Sequence, residues 1–215
     1  HTDTIFLMAH TCHPGQVGDG LACIAIASEI YFWLRSRGTK PKYTYKFLFG
    51  PEYFGGAAWL AKSDKVQNMK FGFFLDMLSS HEPIGFQKSM QGNSLVDRIC
   101  NNVFASHKEI FVEREFRKLW GNDETLFNGN SFKIPTVGVG RAMHREYHYN
   151  TDNLENMSMY NMVESAWILS RIITVFEEDY VPILNYQGPL YLSRYGLFID
   201  PSEDKDGYLN LEKIQ

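Results

Sequence analysis

The sequence predicts an α/β fold: three layers, α/β/α, around a mostly parallel, mixed central sheet. Three observations predict it. Short apolar runs alternate along the chain with longer segments of helical spacing. The first run, Ile5 to Ala9, is apolar throughout rather than at every second position, which is the pattern of a strand buried on both faces. And 215 residues, 44% of them apolar, suffice for one large core.

The elements follow in order. Ile5-Phe6-Leu7-Met8-Ala9 reads as a buried strand that delivers His10 to its C-terminal end. A turn follows through Pro14-Gly15-Gln16-Val17-Gly18. Asp19 opens a long helix to Arg37, with Leu21, Ile24, Ala27, Tyr31 and Leu34 on its inner face and Gly38 as its stop. Tyr43 to Phe49 is a second strand, ending at Gly50-Pro51-Glu52, and a helix runs from Phe54 to Lys62. Met69 to Leu75 is a third strand, ending at Asp76. Ile84 to Lys88 is a further strand, Leu95 to Ser106 a helix, and Pro135 to Gly140 a late strand. Ser158 caps a last helix to Glu178, with Met162, Ala166, Leu169 and Ile173 facing inward.

Composition narrows the function. The net charge is -4 and the basic residues are scattered, which argues against a nucleic-acid binder. Three cysteines, Cys12, Cys23 and Cys100, do not make a disulfide framework, so a reducing, cytoplasmic setting is expected. No run of about 18 or more apolar residues is present, so no membrane span is expected, and no signal peptide is recognised. The chain lacks an initiator Met and ends abruptly on Leu211-Glu212-Lys213-Ile214-Gln215, as expected of part of a longer protein.

In parallel sheets, ligand sites lie beyond the carboxyl ends of the strands. Here three successive strands end in His10, Glu52 and Asp76. His13 and Cys12 lie close to His10, Asp19 opens the following helix, and His148 sits in a polar loop before the last helix. A set of His and carboxylate ligands drawn from several loops is what a catalytic zinc needs, with one position left for water. Glu52 is the natural carboxylate to take the water's proton. Singly, each residue has a plainer reading: Asp19 as a helix cap, Glu52 as a carboxylate suited to a helix start, Asp76 as a solvated strand end. Those readings do not account for the joint placement.

These motifs resemble the zinc aminopeptidase superfamily, which includes bacterial leucyl aminopeptidases and, more distantly, glutaminyl cyclases. More closely, the chain is similar to a group of bacterial aminopeptidase-like proteins whose hallmark is His-Thr-Cys-His-Pro. The resemblance rests on His10-Thr11-Cys12-His13-Pro14, Asp19, Phe49-Gly50-Pro51-Glu52, Asn122-Asp123-Glu124-Thr125-Leu126-Phe127, and Tyr147-His148 with Asp152-Asn153. It covers nearly all of residues 1–180. It implies a zinc hydrolase acting on a small peptide or amide, with His10, Asp19, Asp76 and His148 as metal ligands and Glu52 as general base. Asp123 matches a loop Asp near the site, and Asp123, Glu124, Tyr147 and Tyr53 are the expected substrate contacts.

The resemblance also implies a catalytic domain over residues 1–182. Residues 183–215 would then be the linker and the start of a winged-helix-like accessory module. Members of the closer group often lie in surface-polysaccharide gene clusters. Two departures bear on the metal. Cys12 stands where the aminopeptidases have Asp, and Tyr53 stands where they have a second Glu. One zinc is therefore expected rather than two. Whether His10 or His13 is the ligand stays open at this point.

Overall fold

The computed structural model describes residues 2–13, 15–107, 110–141, 145–181, 183, 191–200 and 202–204. The chain divides into two compact units, His1–Asp179 and Tyr180–Gln215. The first holds a six-stranded sheet. Its strands are β1 (Thr4–His10), β2 (Thr44–Gly50), β3 (Met69–Asp76), β4 (Ile84–Gln87), β5 (Val112–Arg114) and β6 (Thr136–Arg141). Its helices are α1 (Ala22–Ser36), α2 (Phe54–Lys62), α3 (Leu95–Ser106), α4 (Glu124–Asn128) and α5 (Met159–Glu178). The strand order is β2-β1-β3-β6-β4-β5. All pairs are parallel except β4 with β6.

Alternation along β1 and β3 sorts the two layers of core. Ile5, Leu7, Ala9, Phe73 and Leu75 face one side and pack with residues of α1, α3 and α5. Phe6, Met8 and Phe74 face the other and pack with Leu60, Phe127 and Ile134. By the same period of two, His10 and Asp76 lie on this second side, one step beyond Met8 and Phe74. The ring of His10 stacks on Phe74 with centroids 5.9 Å apart. The chain leaves β1 for β2 and then returns across it to β3. The β1/β3 junction is thus the point where strand order reverses, and crevices open at such points.

The expected strands and helices form within a residue or two, and Ser158 does cap α5, its side chain accepting from the Asn161 amide. Four details differ. First, the helix does not begin at Asp19. Val17–Leu21 forms an irregular turn in which Asp19 (φ -85°, ψ 82°) and Gly20 (φ 113°, ψ -65°) are non-helical. Second, α1 is rotated from the expected face: Cys23, Ile26, Ala27, Ile30 and Leu34 are buried, while Leu21 and Tyr31 are exposed. Third, α5 buries Ile168, Leu169, Ile172, Ile173 and Phe176, with Met162 and Ala166 only partly covered. Fourth, β5 and α4 add two short elements that the sequence reading did not contain.

Val17–Ser36 is long and apolar enough, by length and composition, to cross a membrane, and half of it is buried against the sheet. Its inner residues belong to the main core. All three cysteines are free thiols. In the second unit the described residues include a short turn, Leu192–Tyr195, closed by Gly196 at φ 67°. Most of the expected accessory segment, and Pro14 of the opening motif, lie outside the described residues.

Candidate metal centre

Five of the expected metal ligands converge at the C-terminal ends of β1 and β3. His10 Nε2 lies 2.8 Å from Asp19 Oδ1 and 3.8 Å from Asp76 Oδ1. His13 Nδ1 is 3.5 Å, and His148 Nε2 3.3 Å, from Asp19 Oδ2. His10, Asp19 and Asp76 are buried, His13 is half-buried, and His148 has half its side chain exposed. Both oxygens of Asp19, and Oδ1 of Asp76, are buried without an aligned hydrogen-bond donor. Two buried carboxylates with unpaired oxygens, ringed by three imidazoles, are unfavourable by themselves and suit a cation. The donor types suit zinc.

The charges are coupled. Burial works against a charge on His10, but the carboxylates of Asp19, Asp76 and Glu52 outweigh it and hold its pKa up. Burial likewise works against ionised Asp19, yet His10, His13 and His148 keep its pKa low. Burial and then the charge of Asp19 push Asp76 well above the usual carboxylate range. A bound cation reverses that preference and favours both carboxylates ionised.

Glu52 is half-buried in the tight turn that joins β2 to α2, and its charge acts on His10, Asp76 and Asp123. Its backbone N–H donates to Cys12 Sγ at 3.3 Å, tying this turn to the loop after β1. Tyr53 is not free to act as a ligand. Its hydroxyl donates to the Gly121 carbonyl at 3.1 Å and its N–H to Asp123 Oδ1 at 3.1 Å. Asp123 is fully buried with Oδ2 unpaired, and burial raises its pKa to about 6. Tyr147 stacks on His148 at 3.8 Å, and burial followed by the Asp76 and Asp19 charges raises its phenol to about 12.

Glu124 departs from the expected substrate contact. It is fully buried, and its carboxylate accepts from Gln87 Nε2 and from the Asn122 N–H. It braces the loop that carries Asp123.

Other supporting residues escaped the sequence reading. Asp152 is buried and accepts the backbone N–H groups of Gly18 (2.7 Å) and Asp19 (3.0 Å), which fixes the Asp19 backbone. Its place in the Asp152-Asn153 pair was visible, but not its target more than a hundred residues away. Gly20 sits where a Cβ would come within 2.7 Å of the His10 carbonyl oxygen, and Gly56 where one would come within 2.9 Å of Asp123 Oδ1. Tyr53, Met77 and His148 all have positive φ, so left-handed backbone gathers around Glu52, Asp76 and His148. Such strain is characteristic of functional sites.

The sequence pattern of the family described as "Domain of unknown function (DUF4910)" matches residues 1–179. The chain belongs to this family. This DUF4910 chain is 27% identical over 180 residues to a Clostridium acetobutylicum protein. That protein is provisionally named a polysaccharide biosynthesis protein with aminopeptidase-like domain, and the match covers 82% of this chain and 41% of it. A crystal structure from the same organism, provisionally named a peptidase, superposes with a TM-score of 0.77 at 27% identity over 81% of this chain and 42% of that one. A zinc aminopeptidase from Bacillus subtilis gives 0.65 at 15% identity, covering 81% and 46% of the two chains. A glutaminyl cyclase from Porphyromonas gingivalis gives 0.66 at 15%, covering 80% and 72%. The last two show a shared fold, and together these neighbours bear out the kinship expected from the motifs. The DUF4910 chain spans about two fifths of the length of its Clostridium relative.

Proposed function

We propose that the chain is a zinc-dependent hydrolase that cleaves a peptide or amide bond in the manner of an aminopeptidase. The observation that carries this reading is the pair of buried carboxylates, Asp19 and Asp76, whose unpaired oxygens are ringed by His10, His13 and His148. These five residues would hold the catalytic zinc, which when bound polarises the amide carbonyl and acidifies water. One such ion is the favoured count, because the Tyr53 hydroxyl is engaged with Gly121.

Glu52 takes the proton from the attacking water and returns it to the leaving amine. Asp123, ionised above a pH of about 6, is the group that holds a substrate ammonium. Tyr147 remains a neutral phenol across the working range and is a donor for the substrate carbonyl. The substrate is a small peptide or amide; the net charge of -4 gives no support to a nucleic-acid role. Three free thiols suit a reducing compartment such as the cytoplasm.

A second reading keeps the site and changes the substrate. The provisional name of the Clostridium relative and the likeness to a glutaminyl cyclase favour an amide-bearing sugar, or cyclisation of an N-terminal Gln.

One experiment tests both readings. Purified protein, supplied with zinc, is offered aminoacyl-anilides, N-acyl sugars and N-terminal Gln peptides, beside Glu52→Gln. Turnover of the anilides, reduced about 10²–10⁴-fold in the variant at unchanged zinc content, supports the first reading. Equal rates in the two proteins sink the general-base assignment. Turnover of the sugar or Gln substrates alone favours the second reading. Zinc-free protein without turnover leaves a binding module.

A further inference from the structure

We propose that Trp120 forms the apolar wall of the subsite for the side chain of the substrate's N-terminal residue, so that large apolar side chains are preferred there. The inference rests on the hydrolase reading above and on Asp123 as the group that holds the substrate ammonium. Gly138 and Gly140 of β6 are the register partners of Phe74 and Asp76, so they lie on the face of the sheet that carries the candidate centre. The indole of Trp120 runs along these two glycines. A Cβ on Gly138 would collide with Trp120 Nε1, and one on Gly140 would come within 2.9 Å of Trp120 Cη2 and collide with the Asp76 carbonyl oxygen. The benzene end of the ring therefore reaches the strand position beside Asp76, and neighbouring strands lie only about 4.8 Å apart.

This placement does not serve stability. Glycine weakens a strand interior, and β6 holds two of them among its six residues. The indole N–H is buried with no partner among the described residues, although a buried Trp N–H usually finds one. Phenylalanine would fill the same lane without an unpaired donor. Trp120 packs on the second core yet is only half-buried, so part of the ring stays open to a ligand.

The loop that carries the ring is held firmly. Buried Gln87 accepts the N–H groups of Leu119 (3.0 Å) and Trp120 (3.2 Å) through Oε1 and donates through Nε2 to Glu124 Oε1 at 3.1 Å. The Gly121 carbonyl accepts from the Tyr53 hydroxyl. One brace thus sets both Trp120 and Asp123, three residues apart. The ammonium and the side chain of an N-terminal residue leave the same carbon, so a carboxylate and an aromatic wall on one rigid loop can read both. Burying a leucine or phenylalanine side chain against the indole favours these residues over alanine.

Free leucine and free alanine are the probes, because each is a product that such a cleavage releases and neither is turned over. Titrated calorimetrically into the zinc-loaded protein, leucine is expected to bind at least about tenfold more tightly than alanine. Trp120→Ala is expected to bring that ratio close to one at unchanged zinc content, and Trp120→Phe to keep most of it. A ring that only fills the core would weaken both ligands alike and leave the ratio as it was. Leucine bound no more tightly than alanine by the unaltered protein, no binding of either, or an unchanged ratio in Trp120→Ala would each overturn the proposal. The first two outcomes do not depend on how the variants fold. A leucine preference without turnover of aminoacyl-anilides bears on the hydrolase reading alone.

Discussion

Glu124 shows what burial does to a single carboxyl. It has no exposed surface, and desolvation raises its pKa from 4.5 to about 7, even though the Asn122 N–H and Gln87 amide bond to it. A carboxyl raised by folding binds its proton more tightly in the folded chain than in the unfolded one. Its contribution to stability is therefore complete below pH 4.5 and is lost as pH rises towards about 7. The shift corresponds to roughly 3 kcal/mol. Asp123 and Asp76 shift in the same direction, so the comparison must isolate Glu124. In the metal-free protein, the gain in melting temperature between pH 7.5 and pH 5 is expected to shrink in Glu124→Gln. Thermal melts of the two proteins across that range check it, and parallel profiles would refute the assignment. The residue was legible as part of Asp123-Glu124, but its orientation was not: nothing in the spacing says which of two neighbouring buried carboxyls turns to Gln87 and which to the Tyr53 amide.

At the scale of elements, the join between β1 and α1 carries most of the site. His10 ends the strand, and the chain must re-enter the core as a helix at Ala22. Gly20, with φ 113° and no room for a Cβ beside the His10 carbonyl oxygen, makes the sharp re-entry, and Asp152 pins the two amides before it. Asp152→Asn keeps the volume but leaves one acceptor oxygen for the two N–H donors. It is expected to lower zinc affinity about 10–100-fold, the usual cost of a lost supporting partner. A chelator competition titration measures this; unchanged affinity would show that Asp152 does not set the position of Asp19. The sequence made β1 and β3 legible because they are largely apolar runs bounded by polar residues. The inner face of α1 was harder to read. Cys23 and Ala27 pack close to the sheet, while bulky Tyr31 and Phe32 lie outward near the edge strand β2, so apolar character alone chose the wrong rotation. The strand β5 has only three residues, two of them charged, and α4 only five, too few for either period to show.

Over the whole molecule, the sheet is what made the candidate centre readable. Parallel order puts the ends of β1, β2 and β3 at one edge, so strand ends alone group His10, Glu52 and Asp76. His148 and Asp152 come from a loop whose path no strand dictates: His148 stood out as a histidine in a polar loop, but its place as a ligand came from the resemblance. Stability should depend on the metal in turn, because the cation offsets buried carboxylates that otherwise oppose one another. Zinc at a hundred times its dissociation constant is expected to add about 2.7 kcal/mol if the unfolded chain does not bind it. Calorimetry with and without chelator measures the gain, and identical melting temperatures would argue against a cation at Asp19 and Asp76. The condition on the unfolded chain matters here. His10, Cys12 and His13 fall within four consecutive residues, with Asp19 close behind, so this stretch can chelate before any tertiary structure exists, whereas Asp76 and His148 join only on folding. Excess zinc should therefore be held by both states. The rise in melting temperature should then level off at high zinc, and metal capture by the nascent segment could precede closure of the sheet.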